Sequence, residues 1–456
     1  MNTNIIRSIA SYKCCLDKAN HRPVSILPCI SKLYEGVMSD QLAGFMEDIF
    51  SRFLSAYRKQ HSCQHVLIDL IEEWREKLDN KFYVGAVLMD LSKAFDCLPH
   101  HLLIAKLRAY GLAEYAIKFV SSYLSDRSQR VKIGSVVGLW EQIIKGVPQG
   151  SILGPLLFNI FMNDIFYILN DLKNYADDNT ISQHDKELDN LKHKLSQSSE
   201  TAVQWFHENY MLANGEKFHC ILLGPDRQPI DTTLTFNDIT IESEHQVELL
   251  GIFIDDKLSF DKHISELVRK AGNQLNALKR IGSFLSQDCR LLIFRTFVLS
   301  NFNYCPLVWH FCGAQNTDKL EKIQKRGLQF VYRDYTSSYE DLLERAGLNT
   351  LYLNRLKSLA VQVYQTIKGL GPAYLKEIFK ERVSVYNLRG AAHNALETPT
   401  IRTETFGRHS LRALAPQVWN SLPNEYREAV TLSEFKKLLK SWSGVKCNCQ
   451  LCKTAN

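Results

Sequence analysis

The chain has 456 residues, 45% hydrophobic and 23% charged, a mix that builds packed cores over two to four domains and excludes a disordered chain. No stretch reaches the roughly 18 consecutive apolar residues that cross a bilayer, and the opening MNTNIIRSIASYKCC has no apolar run of secretory length. Membrane and secreted classes are thereby excluded, and an intracellular chain is expected, with nucleus and cytoplasm both open. Charge is uneven: residues 257–456 carry 30 Lys+Arg against 16 Asp+Glu, a balance of +14, and residues 1–256 carry 25 against 33, a balance of −8. That asymmetry suggests an acidic half suited to catalysis or metal binding, joined to a half that meets a polyanion, with a basic solvated surface as the plainer reading.

In chain order, RPVSILP from Arg22 is held extended by its two prolines and leads into a helix ending at Met46, through Leu33, Val37 and Leu42. A second helix, Cys63 to Lys77, sets Val66, Leu67, Leu70, Ile71 and Trp74 along one face. VGAVLMDL (84–91) is a short, nearly continuous apolar run ending in an acid, the pattern of a strand buried on both faces. A helix over 99–110 and a hairpin over 129–145 follow. Next comes the glycine- and proline-punctuated loop GVPQGSILGP (146–155), feeding a helix that carries Leu156, Leu157, Ile160, Phe161 and Ile165. YADDNTIS (175–182) predicts strand, turn and strand; 187–208 predicts a helix, and 219–224 and 248–254 predict strands.

Beyond Leu258 the chain becomes helical and basic. Ile264, Leu267, Val268, Ala271, Leu275, Leu278 and Ile281 keep 3–4 spacing, and further helices are expected at 289–300, 316–332, 351–369 and 431–442. The first 255 residues read as α+β and the rest as mostly α, with a boundary near 256–262. Twelve cysteines, including the adjacent Cys14 and Cys15, are too few for a disulfide scaffold. Cys447, Cys449 and Cys452 cluster without a fourth ligand nearby, so a complete local zinc knuckle is not expected.

Three acids carry the chemistry. Asp90 ends the buried strand, where a plain core has no use for a carboxylate, and Asp177 and Asp178 sit in the predicted turn. A strand-end acid facing a turn with two more is an arrangement that holds a pair of divalent cations. Mg²⁺ suits such oxygen ligands because it keeps waters and substrate phosphates in its shell. Asp255–Asp256 is a second pair after an apolar run, but no glycine-rich loop precedes it, and it reads as a solvated turn.

Taken together and in this order, HRPVSILPCISKLYE (21–35), VLMDLSKAFDCLPHHLL (87–103), GVPQGSILGPLLFNIFMNDI (146–165), YADD (175–178) and LLGIFIDDKLSFDKHI (249–264) resemble the reverse transcriptases of non-LTR, LINE-type, jockey-like retrotransposons. The tract SLRALAPQVWNSLPNEYREAVTLSEFKKLLK (410–440) resembles the C-terminal segment of the same elements, and the AFD after Asp90 favours them over telomerase and group II intron enzymes. The resemblance implies an α+β right-hand polymerase: fingers and palm over 1–256 with a small antiparallel palm sheet, a helical thumb over 257–340, and a mostly α, basic C-terminal region over 341–456. It implies RNA-directed DNA polymerase activity with two Mg²⁺ ions, or Mn²⁺ in their place, acting on an RNA template, a DNA primer and dNTPs.

Residue by residue, it makes Asp90 and Asp177 the principal metal ligands, with Asp178 completing the triad and the carbonyl of Leu91 a further ligand. Phe95 corresponds to the aromatic that crowds the sugar 2′ position; by position alone it would be a core aromatic. Gln149 and Gly150 fall on the loop beside the incoming nucleotide, where glycine permits close backbone approach. Arg22 and Lys32 correspond to cations near the triphosphate, each an ordinary surface cation on the plainer reading. Lys217 corresponds to a general acid for the leaving pyrophosphate, although Gly215 and Phe218 replace the family's proline and threonine around it. The hairpin in LLGIFID would hold the primer end, and the basic helices beyond Phe260 would meet the duplex. The amino end departs from the pattern: more fingers sequence is expected ahead of RPVS, and no upstream endonuclease is evident. The chain therefore reads as a truncated open reading frame, and a weak or inactive relic that binds nucleic acid is the alternative to a working polymerase.

Overall fold

The run Tyr83–Asp90 forms the central strand of a six-stranded sheet. In spatial order the strands are Thr233–Phe236, Ile239–Glu244, His219–Leu223, Tyr83–Asp90, Asp178–Asp185 and Leu172–Tyr175. All neighbours are antiparallel except His219–Leu223 with Ile239–Glu244, which run parallel. The computed structural model describes residues 3–10, 21–25, 27–91, 93–130, 132–133, 135–382 and 395–445. Both cysteine groups noted above, Cys14–Cys15 and Cys447, Cys449 and Cys452, lie outside them.

The central strand is buried on both faces, as its unbroken apolar run predicts. Val84, Ala86 and Leu88 enter one core with the Cys63–Asp79 helix and residues from 247 to 442. Val87, Met89 and Leu91 enter the other, with the helices Leu153–Met162 and Leu188–Glu208. Period-two alternation thus lets one strand serve two cores.

Beyond the sheet, Gln246–Leu249 and Ile252–Asp255 form an antiparallel hairpin. The helix Asp261–Ile281 follows, burying Ile264, Ala271, Leu275 and Leu278 while Ile281 stays exposed. Long helices at Ala314–Tyr332 and Leu351–Ile367 continue the α-rich second half. The segment 289–300 is only partly α-helical: Gln287–Ile293 is α, and Phe294–Val298 widens into a π turn. Among the described residues no helix is long and apolar enough to cross a membrane.

The helix Cys29–Met46 is where expected, but it is turned differently. Leu33 and Val37 are 73% and 59% exposed, while Glu35, Leu42 and Met46 are buried. Glu35 sets that rotation: its carboxylate accepts hydrogen bonds from the Ile152 amide (2.7 Å), the Leu153 amide (3.4 Å) and the Tyr123 hydroxyl (3.1 Å). A carboxylate on the first amides of a helix is favoured by charge and by the otherwise unpaired N–H groups there.

The second aspartate pair also differs from expectation. Asp256 is 7% exposed and accepts from His245 Nδ1 at 3.0 Å, so it is not solvated. Asp255 accepts from the amides of Lys257, Ser259 and Phe260 at 3.0, 3.0 and 2.6 Å, building the turn into the Asp261–Ile281 helix.

Candidate active site

Asp90 and Asp178 are direct cross-strand partners, one ending the central strand and the other starting its neighbour. Directly opposed residues point to the same face of a sheet. Asp90 therefore continues the Val84, Ala86, Leu88 face, with Asp178 beside it. Asp177 sits one residue earlier, in the two-residue turn between Tyr175 and Asp178, where Ala176 adopts φ 58°. Two buried asparagines hold that turn: Asn174 donates to the Ala176 carbonyl (2.7 Å) and to Asn179 Oδ1 (2.9 Å), and Asn179 donates to the Asp177 carbonyl (3.0 Å).

The electrostatics are those of crowded acids. Burial first, then the charges of Asp177 and Asp90, push the Asp178 carboxyl up to about 6. Among the described residues none donates a hydrogen bond to the carboxylate of Asp177 or Asp178. Lys217, from the short turn Gly215–Lys217, places its ammonium 3.0 Å from Asp90 Oδ2. Leu91 is buried and bridges Ala213 across the strand end.

Among the described residues no three His, Cys, Asp or Glu side chains close around a single point as a cage for a metal. The three aspartates instead form an open rim of hard oxygen donors, free of competing donors on two members and neutralised by an ammonium on the third. That donor set fits a divalent cation whose remaining ligands come from water and phosphate.

Phe95, in the short helix Ala94–Cys97, stacks on Phe158 with centroids 4.4 Å apart and meets Tyr57 edge-on at 6.0 Å. Burial and then the charge of Asp177 push the Tyr57 hydroxyl upward, which sets this aromatic corner beside the acids. The loop 146–152, which leads into the Leu153–Met162 helix, is tied to the same segment: the amides of Gly146 and Val147 donate to the carbonyls of Leu98 (2.7 Å) and Phe95 (2.9 Å). Gly146 has φ +84°, and a Cβ there would lie 2.7 Å from the Asp96 carbonyl oxygen, so only glycine fits. Gln149 Nε2 donates to both carboxylate oxygens of Asp96 at 3.0 Å, and Gly150 follows at φ +97°.

The structure thus brings together Asp90, Asp177, Asp178, Leu91 and Lys217, and ties Phe95, Gln149 and Gly150 to one another. It does not join Lys32 to them: that residue is exposed on the Cys29–Met46 helix, a turn from Glu35. The backbone of Arg22 lies in the strand His21–Ser25; its side chain is outside the described part. Sequence reasoning missed four residues that shape the site: Glu35, Tyr57, Asp96 and the asparagine pair's leading member, Asn174. Asp96 had a signal in the AFD run. Glu35 was the acid sharing a seven-residue interval with Leu42.

Comparison with known proteins bears on the whole arrangement. The model of the family described as reverse transcriptase (RNA-dependent DNA polymerase) matches residues 14–254, more than half of the chain. A probable RNA-directed DNA polymerase from transposon BS of Drosophila melanogaster is 25% identical over 328 residues, 68% of this chain and 36% of that protein. The RNA-directed DNA polymerase from mobile element jockey of Drosophila funebris is 25% identical over 348 residues, 72% of this chain and 37% of that protein. The chain therefore spans about a third of the length of these curated relatives. Among solved structures, telomerase from Candida albicans aligns with a TM-score of 0.40 at 14% identity, over 82% of this chain and 65% of that one, a score too low for fold to be read from it.

Proposed function

The chain belongs to the reverse transcriptase (RNA-dependent DNA polymerase) family, and from that premise we propose that it is the RNA-directed DNA polymerase of a LINE-type, jockey-like element. It transfers a deoxynucleoside monophosphate from a dNTP to the 3′-hydroxyl of a DNA primer on an RNA template, releasing pyrophosphate. The observation that carries this reading is the cross-strand pairing of Asp90 with Asp178, with Asp177 in the adjoining turn.

Asp90 and Asp177 would be the main holders of two Mg²⁺ ions, with Asp178 and the Leu91 carbonyl at the margin. Such ions, or Mn²⁺ in their place, lower the pKa of the attacking hydroxyl and neutralise charge on the transferred phosphate. The protein's own residues do the rest. Lys217 holds a proton on Nζ at the edge of the acid cluster, where it can pass to the leaving pyrophosphate as the P–O bond breaks. Phe95 walls the sugar pocket, and its stacking on Phe158 keeps the ring from retreating to admit a 2′-hydroxyl. Gln149 and Gly150, set by Asp96, line the nucleotide and template side, and Arg22 would be the cation that meets the triphosphate. Residues 1–256 serve as fingers and palm, 257–340 as thumb, and 341–456 as the C-terminal region.

Primer extension tests the reading: the purified chain is given a DNA primer annealed to an RNA template, dNTPs and Mg²⁺ or Mn²⁺. Extension is expected, and its loss in Asp177→Ala should leave primer–template binding intact. No extension by the wild-type chain with either metal would contradict the proposal.

A further inference from the structure

The helix Cys63–Asp79 buries three charged side chains, Glu72, Arg75 and Asp79, which is more than a helix needs merely to cover a sheet. Toward the sheet it grips the hairpin that carries Asp177 and Asp178. Lys173, on the strand Leu172–Tyr175, places its ammonium 2.5 Å from Asp69 Oδ2 and 2.7 Å from Glu73 Oε2, with only 8% of its side chain exposed. Trp74 Nε1 donates to Ser182 Oγ on the other hairpin strand at 2.8 Å. Both strands of the hairpin are therefore held by one helix.

The other side of that helix is occupied by a segment more than 300 residues away. Asp79 Oδ1 accepts from the Thr403 amide and hydroxyl, each at 2.7 Å, and Asp79 receives the Arg402 amide at 3.3 Å. Gly407 packs against the same carboxylate: a Cβ there would lie 2.4 Å from Asp79 Oδ1. Glu72 accepts from the Leu411 and Arg412 amides at 2.9 and 3.0 Å, capping the start of the Leu411–Asn420 helix. Arg75 donates to the His409 carbonyl, and Arg412 reaches Glu76 at 2.8 Å. Buried carboxylates spent on backbone amides make strong, directional bonds. They fix where the helix stands, and an apolar interface would leave it freer to slide.

We propose that residues 395–442 act as a brace that positions the Asp177–Asp178 hairpin through the Cys63–Asp79 helix, with Asp79 and Lys173 as positioning residues. This rests on the reading of that hairpin as the polymerase site. The tract's role is then mechanical support of catalysis, and nucleic-acid capture by its basic surface is the competing outcome.

The test uses the full chain with Asp79→Leu, Asp79→Asn and Arg412→Ala, read by hydrogen–deuterium exchange over 172–185, primer–template Kd, and single-turnover incorporation. Asp79→Leu should raise exchange in the hairpin and lower the incorporation rate by roughly tenfold or more, since small misplacement of reacting groups is costly, while Kd changes by less than about twofold. Asp79→Asn keeps an oxygen that can accept from Thr403 and should recover most of both. Arg412→Ala, which removes a partly exposed ion pair, should move both readouts the same way by less, and it decides the matter if Asp79→Leu does not fold. Exchange rising only within 395–442, or a weaker Kd at an unchanged rate, would overturn the proposal. If the wild-type chain extends no primer, the polymerase reading fails, and exchange over 172–185 alone still decides whether the tract governs the hairpin.

Discussion

Two adjacent-aspartate pairs end or begin strands in this molecule, and their surroundings could hardly differ more. Around Asp255–Asp256 the carboxylate oxygens are consumed: three backbone amides and the Ser259 hydroxyl on Asp255, and the His245 ring on Asp256. Around Asp177–Asp178 the hydrogen bonds go to the backbone instead, from Asn174 and Asn179, and Asp178 lies directly across from Asp90. The first pair is a structural corner leading into the Asp261–Ile281 helix. The second is a rim of negative charge whose turn is fixed by other residues. An acid's role is decided by which donors reach its oxygens, and the dipeptide alone does not reveal that.

The largest effect should separate the two pairs by activity. Asp90→Ala and Asp177→Ala should each lower incorporation by roughly a thousandfold or more, because metal-assisted charge stabilisation is worth several kcal/mol. Asp255→Ala should instead cost about 1–3 kcal/mol of stability, from amides left without their acceptor, while incorporation per folded molecule stays near wild type. Primer extension and thermal melts on the same preparations check both.

Next in size is Lys217, whose ammonium meets Asp90. Lys217→Gln should slow incorporation by about a hundredfold if it donates the proton. A rate equal to wild type across pH would leave it only a counter-charge. Phe95→Ala should raise ribonucleotide incorporation relative to deoxynucleotide by about tenfold, a difference worth ~1.4 kcal/mol. Competition assays measure that ratio directly, and an unchanged ratio would reduce Phe95 to a packing partner of Phe158 and Tyr57.

The smallest effect concerns pH. The folded Asp178 carboxyl, at about 6, lies above its ordinary value of 3.8, so the folded state binds that proton more tightly. Its contribution to stability is full below about pH 4 and is lost as pH rises through about 6. Asp178→Asn should flatten that slope and raise metal-free stability at pH 7 by on the order of 1 kcal/mol once solvent screening is allowed for. Melts between pH 4 and 7 without divalent ions would show it.

Much of the site was legible because its chemistry rides on strongly patterned elements. The unbroken apolar run before Asp90 forces a strand buried on both faces, and Gly146, Pro148 and Gly150 force a tight loop ahead of the Leu153–Met162 helix. What was not legible depends on partners far away in the chain. Nothing local in the Cys29–Met46 helix announces that Glu35 caps amides at 152 and 153, turning Leu33 and Val37 outward. Asp256 read as solvated because His245, its partner, lies across a hairpin. The bonds from Asp79 and Glu72 to residues 402–412 are side chain to backbone, and a backbone amide leaves no mark in a sequence.

The most direct measurement is single-nucleotide incorporation on an RNA template with Mg²⁺, comparing wild type, Asp177→Asn and Asp256→Asn at equal folded concentration. Incorporation by wild type and Asp256→Asn, with none by Asp177→Asn, is the predicted result. Equal loss in both variants, or incorporation retained by Asp177→Asn, would contradict the assignment of the 177–178 pair to metal-assisted nucleotidyl transfer.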